Sequence, residues 1–220
     1  MPKIELLHAD CMDYMQGLPD NAFELAIVDP PYGVKRDKGF GGFGGFGGRP
    51  IARKEYKGDW DSARPEKQYF KELIRISGNQ IIWGGNFFAD HLPAGTHWIF
   101  WNKLNTMPTF GDGELAWTSL PRKSIKMHTL EYNGLLGREK NRIHPTQKPV
   151  KLYDWLLSNY AKEGDRILDT HLGSGSSAIA AHYGGFDFVG CELDEDYYKA
   201  ASERFDQETA QVDIFSELEG

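Results

Sequence analysis

Apolar positions along this chain come in short, nearly continuous bursts separated by glycine, proline and polar clusters, the pattern of buried strands between loops. Ile4 to Leu7 is the first burst. Ala22-Phe23-Glu24-Leu25-Ala26-Ile27-Val28 is the second, and it stops at Asp29-Pro30-Pro31, where proline ends a central strand. Gln80-Ile81-Ile82-Trp83, closed by Gly84-Gly85, and His97-Trp98-Ile99-Phe100-Trp101 read as two more. Weaker strand signals lie at 114–118 and 125–132, inside a mixed, polar and basic stretch from 103 to 145. Two segments show helical spacing instead. Residues 64–76 carry Tyr69, Phe70, Leu73 and Ile74 on one face, with Gly78 as the expected stop. Residues 149–161 carry Val150, Leu152, Tyr153, Leu156 and Leu157, with Pro149 at an early helical position.

The last third repeats one unit. Asp165-Arg166-Ile167-Leu168-Asp169 predicts a strand, Gly173-Ser174-Gly175-Ser176-Ser177 a turn, and Ala178 to Tyr183 a helix ended by Gly184-Gly185. Phe186 to Cys191 predicts the next strand, and about 194–209 the last helix. Strand, helix, strand, helix at this spacing predicts an α/β fold built on a doubly wound, mostly parallel sheet. No linker divides the chain, so 1–220 reads as a single domain.

Composition narrows the class. The 220 residues are 40% hydrophobic and 26% charged, ordinary for a globular protein. No apolar run approaches the roughly 18 residues of a membrane span, and Met1-Pro2-Lys3-Ile4-Glu5 lacks a long apolar signal region. With only Cys11 and Cys191, a disulfide scaffold and a cysteine zinc site are excluded, and a cytoplasmic setting is expected. His144, His171 and His182 share no metal-ligand spacing, so no metal is assigned. The net charge of −7 hides an asymmetry. Residues 122–151 hold eight Lys or Arg against two acids, whereas 192–220 hold ten acids against two bases. A basic face for nucleic acid is compatible with the acidic total.

Two motifs carry chemistry. In the first, Gly173-x-Gly175-x-x-Ala178 lies between a strand and a helix, and Glu192 ends the following strand. Glycines let a nucleotide approach the backbone, and a carboxylate at that place accepts ribose hydroxyls. NAD and S-adenosylmethionine both present such a ribose. Asp169, just before the glycines, disfavours a pyrophosphate and suits an ammonium group. Asp10, after the first strand, either reaches an adenine amino group or caps a helix over residues 11–16. In the second, Asp29-Pro30-Pro31-Tyr32 follows a strand, where α/β sheets place their sites. An exocyclic amine on a base is a poor nucleophile. The Asp29 carboxylate and the Pro30 carbonyl can each accept one of its N–H groups and favour a pyramidal nitrogen. Pro30 and Pro31 rigidify the turn, and Tyr32 can stack on an extruded base.

With these motifs the chain resembles the S-adenosylmethionine-dependent DNA amino-methyltransferases of the β group, in which DPPY precedes the glycine-rich cofactor motif. Asp10-Cys11 is similar to the adenine-contacting pair. His144-Pro145-Thr146-Gln147-Lys148-Pro149 is similar to the signature bordering the methionine part of the cofactor, which brings in Thr146 and Lys148. Asp169, Gly173, Ser174, Gly175 and Glu192 match the cofactor turn and ribose acid. Trp83-Gly84-Gly85-Asn86 and Trp98 to Trp101 look like the remaining catalytic-half strands. The resemblance implies a Rossmann-like methyltransferase fold, S-adenosyl-L-methionine as cofactor and S-adenosyl-L-homocysteine as product. It implies double-stranded DNA as substrate and, from DPPY rather than SPPY, N6 of adenine as target. Cytosine N4 in DNA, an amino group in RNA, and a non-catalytic DNA-binding module with a decayed cofactor site are the alternatives. Neither cysteine follows a proline, so direct in-line transfer is expected over a covalent intermediate. The chain departs from the family at Thr170-His171, where Pro and Phe are usual; His171 would take over the ring contact with the cofactor.

Two regions are expected to meet DNA. The Gly/Phe-rich loop at 36–57 reads GFGGFGGFGG between Gly39 and Gly48. Lys35, Arg36 and Arg49 flank it as phosphate contacts, with Phe40, Phe43 and Phe46 as stacking or wedging groups. The region at 103–143 is the short target-recognition candidate, with Arg122, Lys123, Lys126, Arg138, Lys140 and Arg142 as its basic contacts. A homodimer, a separate specificity subunit and a cognate nuclease are the partners such an enzyme can have.

Overall fold

The computed structural model describes residues 1–34, 63–105, 111–121, 124–132 and 142–218. Eight strands form one sheet: β1 (Ile4–His8), β2 (Phe23–Val28), β3 (Ser77–Trp83), β4 (Trp98–Asn102), β5 (Gly113–Thr118), β6 (Ile125–Thr129), β7 (Arg166–Asp169) and β8 (Asp187–Glu192). The helices are α1 (Cys11–Gln16), α2 (Lys67–Ile76), α3 (Val150–Tyr160), α4 (Ser176–Gly184) and α5 (Glu195–Leu218), with a 3₁₀ turn at Gly85–Phe87.

The strand order is β1-β8-β7-β2-β3-β5-β4-β6. β5 runs antiparallel to both β3 and β4; every other neighbouring pair is parallel. From β2 the chain winds toward β3, and from β7 it winds the other way toward β8. The switch point falls between β2 and β7, and ligands of open α/β sheets bind outside the strand ends there. Asp29 follows β2 at this point and Asp169 ends β7.

The pleat splits the core into two layers. Leu25 and Ile27 of β2 join Ile81, Trp83 and Trp101 against Leu152, Leu156 and Ala178. Ala26 and Val28 join Ile82, Trp117 and Leu168 against Phe70 and Leu73. Burying each large side chain is worth about 1.5–3 kcal/mol. Both faces of β2 being covered explains its apolar run from Leu25 to Val28.

Several boundaries differ from the sequence reading. Gly78 is not a helix stop: α2 runs straight into β3, and the extended Ser77 (φ −131°, ψ 137°) makes the change. Pro149 caps α3 from outside its first turn. The turn reaches its helix earlier, since α4 starts at Ser176, and α5 continues to Leu218. Residues 113–118, inside the expected recognition region, are an internal strand, and β6 ends at Thr129. The 36–57 loop lies outside the described residues. Among the described residues no helix is long and apolar enough to cross a membrane.

Candidate active site

Two clefts open at the switch point and share a wall. The larger, about 420 Å³, is within the usual range for a small-molecule site. It is lined from the left half of the sheet by Asp10, Cys11, His171, Gly173, Ser174 and Glu192, and from the other side by His144, Thr146 and Lys148. Glu192 ends β8 and organises the rim. Its Oε2 accepts the Gly173 amide at 2.9 Å and its Oε1 accepts the Asp194 amide at 3.0 Å. Burial raises its carboxyl above the ordinary range. Asp10 caps α1 by accepting the Met12 amide at 2.7 Å, as the helix-cap reading expects, and it also lines the cleft.

Two expected cofactor residues lie behind the cleft rather than in its wall. Asp169 is 1% exposed; Ser177 donates to its Oδ2 at 2.6 Å and the His171 amide to its Oδ1 at 3.0 Å. Burial, with Asp29 and Glu192 nearby, pushes its carboxyl up to about 7. Asp169 therefore braces the loop that carries His171. Gly175 adopts φ +74° at the start of α4, against Ala201 of α5; its part is the turn. From α5, the buried Arg204 donates to the Ser174 carbonyl at 2.8 Å and to the Ser176 hydroxyl at 2.9 Å, which pins the same turn. Sequence reasoning had no signal for Arg204 beyond its being one of two bases in an acidic helix.

The Thr170-His171 departure has a local explanation. Thr170 Oγ1 lies 2.6 Å from the Tyr69 hydroxyl and 2.9 Å from His171 Nδ1. This polar chain, with an edge contact of 5.4 Å between the Tyr69 and His171 rings, fixes the imidazole. Burial drives the His171 pKa down to about 4, so the ring is neutral near pH 7. His144 is also held down to about 4, by burial first and then Arg142 and Lys148. It packs edge-on against Tyr197 at 4.5 Å, and Thr146 donates its amide to Nδ1 at 3.3 Å.

The smaller cleft, about 90 Å³, is lined by Asp29, Pro30, Pro31, Tyr32, Trp101, Glu114, Tyr132 and Arg142 among others. Asp29, Pro31, Thr146, Gln147 and Lys148 line both clefts. The Tyr32 hydroxyl donates to Asp29 Oδ1 at 2.7 Å. One face of the Tyr32 ring is stacked on Phe87 at 4.8 Å. Its phenol is held well above the usual range by burial and by Asp29. Lys148 is buried and its ammonium pairs with Asp29 Oδ2. Glu114, at the start of β5, lies 3.1 Å from the same ammonium and also pairs with Lys103. Burial lowers the Lys148 pKa, but Asp29 and Glu114 outweigh it and the net direction is up.

Glu114, Lys103, Trp101 and Tyr132 escaped the sequence reading as site residues. β5 is antiparallel, so its start reaches the sheet end where the parallel strands finish. The available signal was an acid opening an otherwise apolar strand, Gly113-Glu114-Leu115-Ala116-Trp117. Among the expected DNA contacts, Lys35, Arg36, Phe40, Phe43, Phe46, Arg49, Arg122, Lys123, Arg138 and Lys140 lie outside the described residues. Lys126 is exposed on β6. Arg142 lines the smaller cleft and donates to the His144 carbonyl at 2.9 Å. Cys11 and Cys191 are both pushed up to about 12, chiefly by burial, which leaves no thiolate for nucleophilic chemistry. Among the described residues no three His, Cys, Asp or Glu are grouped to hold a metal ion.

Known proteins are similar to this chain in sequence and fold. The family model described as DNA methylase, of the N6/N4 amino-methyltransferases, matches residues 82–203. The match takes in Glu114, Lys148, the glycine turn and Glu192, and it begins after Asp29-Pro30-Pro31-Tyr32. The type II methyltransferase M2.DpnII of Streptococcus pneumoniae is 27% identical over 94% of this chain and 91% of its own length. M2.LlaDCHI of Lactococcus lactis subsp. cremoris is 26% identical over 92% of this chain and 89% of its own. The solved M1.HpyAVI–SAM complex superposes with a TM-score of 0.59 at 20% identity, covering 91% of this chain and 98% of that one. The cytosine-N4-specific PvuII DNA methyltransferase does so with 0.62 at 13% identity, covering 93% and 87%. At those identities the two structures show a shared fold, and the family match spans more than half of the sequence: this chain belongs to the DNA methylase family of N6/N4 amino-methyltransferases.

Proposed function

We propose that the 220 residues form a single-domain DNA methyltransferase that uses S-adenosylmethionine and modifies N6 of adenine. The observation that carries this reading is that Asp29 lines both clefts, at the switch point of the sheet. A donor cleft and an acceptor cleft meeting at one carboxylate is what direct transfer to an amine requires.

The larger cleft fits the cofactor by its charges. Among the described residues Asp10, Asp29, Glu192 and Asp194 line it against the single cation Lys148, and its two histidines are held neutral. Such a wall favours a sulfonium and an ammonium and opposes a pyrophosphate. Glu192 would take the ribose hydroxyls, Asp10 the adenine edge, and His171 the ring contact that phenylalanine makes elsewhere in the family. When bound, S-adenosylmethionine supplies a methyl group on a positively charged sulfur.

The protein's own groups do the rest. Asp29 and the Pro30 carbonyl accept the two N–H groups of the target amine and turn its lone pair toward the donor cleft. Asp29 does not strip a proton beforehand; it takes the N–H proton as alkylation makes the nitrogen acidic. Positioning supplies most of the acceleration. Because the smaller cleft is far below the volume of a typical ligand site, the base would enter extruded from its duplex and open the cleft as it docks. Aspartate at position 29, rather than serine, favours adenine over cytosine on the family resemblance.

Calorimetric titration tests the cofactor assignment. One S-adenosylmethionine per chain is expected to bind, and NAD is not. Absence of any S-adenosylmethionine binding would overturn the reading and favour a DNA-binding module.

A further inference from the structure

The charges around Asp29 form a neutral quartet, the buried Lys148 with the half-buried Lys103, Glu114 and Asp29. Lys148 enters just before α3, with its ammonium 5.4 Å from the Trp83 ring centroid and 6.0 Å from that of Tyr32. It occupies Asp29 Oδ2, while the Tyr32 hydroxyl occupies Oδ1. Both carboxylate oxygens that an incoming amine needs are therefore engaged within the protein.

Glu114 supplies the way out. Its Oε1 accepts from Lys103. Its Oε2 is buried and pairs with the Lys148 ammonium at 3.1 Å, but completes no hydrogen bond of good geometry among the described residues. A buried carboxylate oxygen left short of a hydrogen bond costs free energy. A small swing of the lysine tip would satisfy it. The ammonium donates to Asp29 now and has a second carboxylate oxygen beside it, already in ion-pair range.

We propose that Glu114 is a positioning residue for methyl transfer: it receives the Lys148 ammonium when the target amine takes the lysine's place on Asp29. The inference rests on the methyltransferase reading above and adds a residue to it. Lys148 thereby keeps a counter-ion throughout, and no buried charge is left unpaired as the amine docks. Lys103 holds Glu114 in place by its other oxygen. Without Glu114, Lys148 has Asp29 as its only carboxylate among the described residues and blocks it.

The test is Glu114→Gln in the full chain, with kcat at saturating cofactor and DNA measured beside calorimetric affinity for S-adenosylmethionine. The expected result is a fall in kcat of about tenfold or more with affinity changed less than about threefold, the pattern of a lost interaction specific to the reacting state. Glu114→Asp, which keeps the carboxylate, should recover part of the rate. Adding Lys148→Met to Glu114→Gln should make the enzyme faster than Glu114→Gln alone, because the blocking cation is gone. A merely structural role predicts the opposite, a double variant slower than either single one. Wild-type kcat in Glu114→Gln overturns the proposal, as does a joint loss of affinity and rate. Should Glu114→Gln fail to fold, Glu114→Asp carries the test: lower kcat at unchanged affinity supports the proposal, and wild-type kcat overturns it. The wild-type protein is assayed in the same series. If it methylates DNA and the Glu114 variants match it, only this inference falls; if it transfers no methyl group, the methyltransferase reading fails and takes the inference with it.

Discussion

Asp29→Ala abolishes methyl transfer, with single-turnover rates expected to fall by about a thousandfold or more, in the range of a lost proton acceptor combined with lost positioning. The reason lies in the shared wall. Asp29 is the carboxylate common to both clefts, and its side chain is tied to Tyr32 and Lys148. Truncation removes the acceptor for the amine and releases the tyrosine. It leaves the far side of the cofactor cleft, with Glu192 on the Gly173 amide, as it was. Affinity for S-adenosylmethionine should therefore stay within about threefold, since the deleted group acts in the reacting state more than in cofactor binding. Lys148 retains Glu114 within 3.1 Å, so the buried ammonium is not stranded and the fold should survive. Asp29→Asn is the shape-preserving companion: its carbonyl oxygen still accepts one hydrogen bond, and it should lie between the wild type and Asp29→Ala. Appreciable turnover by Asp29→Ala would contradict the mechanism.

Gly84→Ala is the second large effect, and it acts without touching either ligand. Gly84 closes β3 in the left-handed region, at φ +68° and ψ 21°. A Cβ there would lie 2.2 Å from Tyr32 Cε1 and 2.6 Å from its Cζ. The left-handed conformation alone costs an alanine roughly 1–2 kcal/mol. The ring cannot simply retreat, because Phe87 is stacked on it at 4.8 Å. Displacing Tyr32 breaks its bond to Asp29 and distorts the mouth of the smaller cleft. Thermal unfolding should shift down by about 4–8 °C for some 2 kcal/mol in a chain of this size. The methylation rate should fall well beyond what that destabilisation explains at 25 °C, with cofactor affinity preserved. Unchanged kcat in a folded Gly84→Ala protein would show that the Tyr32 placement is not needed for transfer.

Much of this site was legible because its signals are local. The apolar run of β2 stopping at two prolines located Asp29. The strand, glycine turn and helix after Asp169 pointed to the larger cleft, and Glu192 fell at the next strand end, where it holds the Gly173 amide. These residues are close in sequence to the elements that place them. Glu114 and Lys103 are not. Their position depends on β5 running antiparallel between β3 and β4, a pairing across the sheet that no local pattern encodes. Asp169 shows the reverse difficulty. Its place at a strand end was read correctly, but which way the carboxylate turns depended on Ser177 and the His171 amide, and they drew it behind the wall. Gly78 was misread for a similar reason. Glycine after a helix commonly makes a left-handed stop, but here pairing with β2 pulls the chain directly into a strand.

The most direct test of the account is the chemical identity of the product. The protein is incubated with methyl-labelled S-adenosylmethionine and unmethylated duplex DNA, the DNA is digested to nucleosides, and the labelled nucleoside is identified by mass. N6-methyladenine is the expected product. N4-methylcytosine would keep the fold, the cofactor and the role of Asp29 but contradict the choice of base, and DNA that stays unlabelled while the cofactor binds would contradict DNA methyl transfer by this chain.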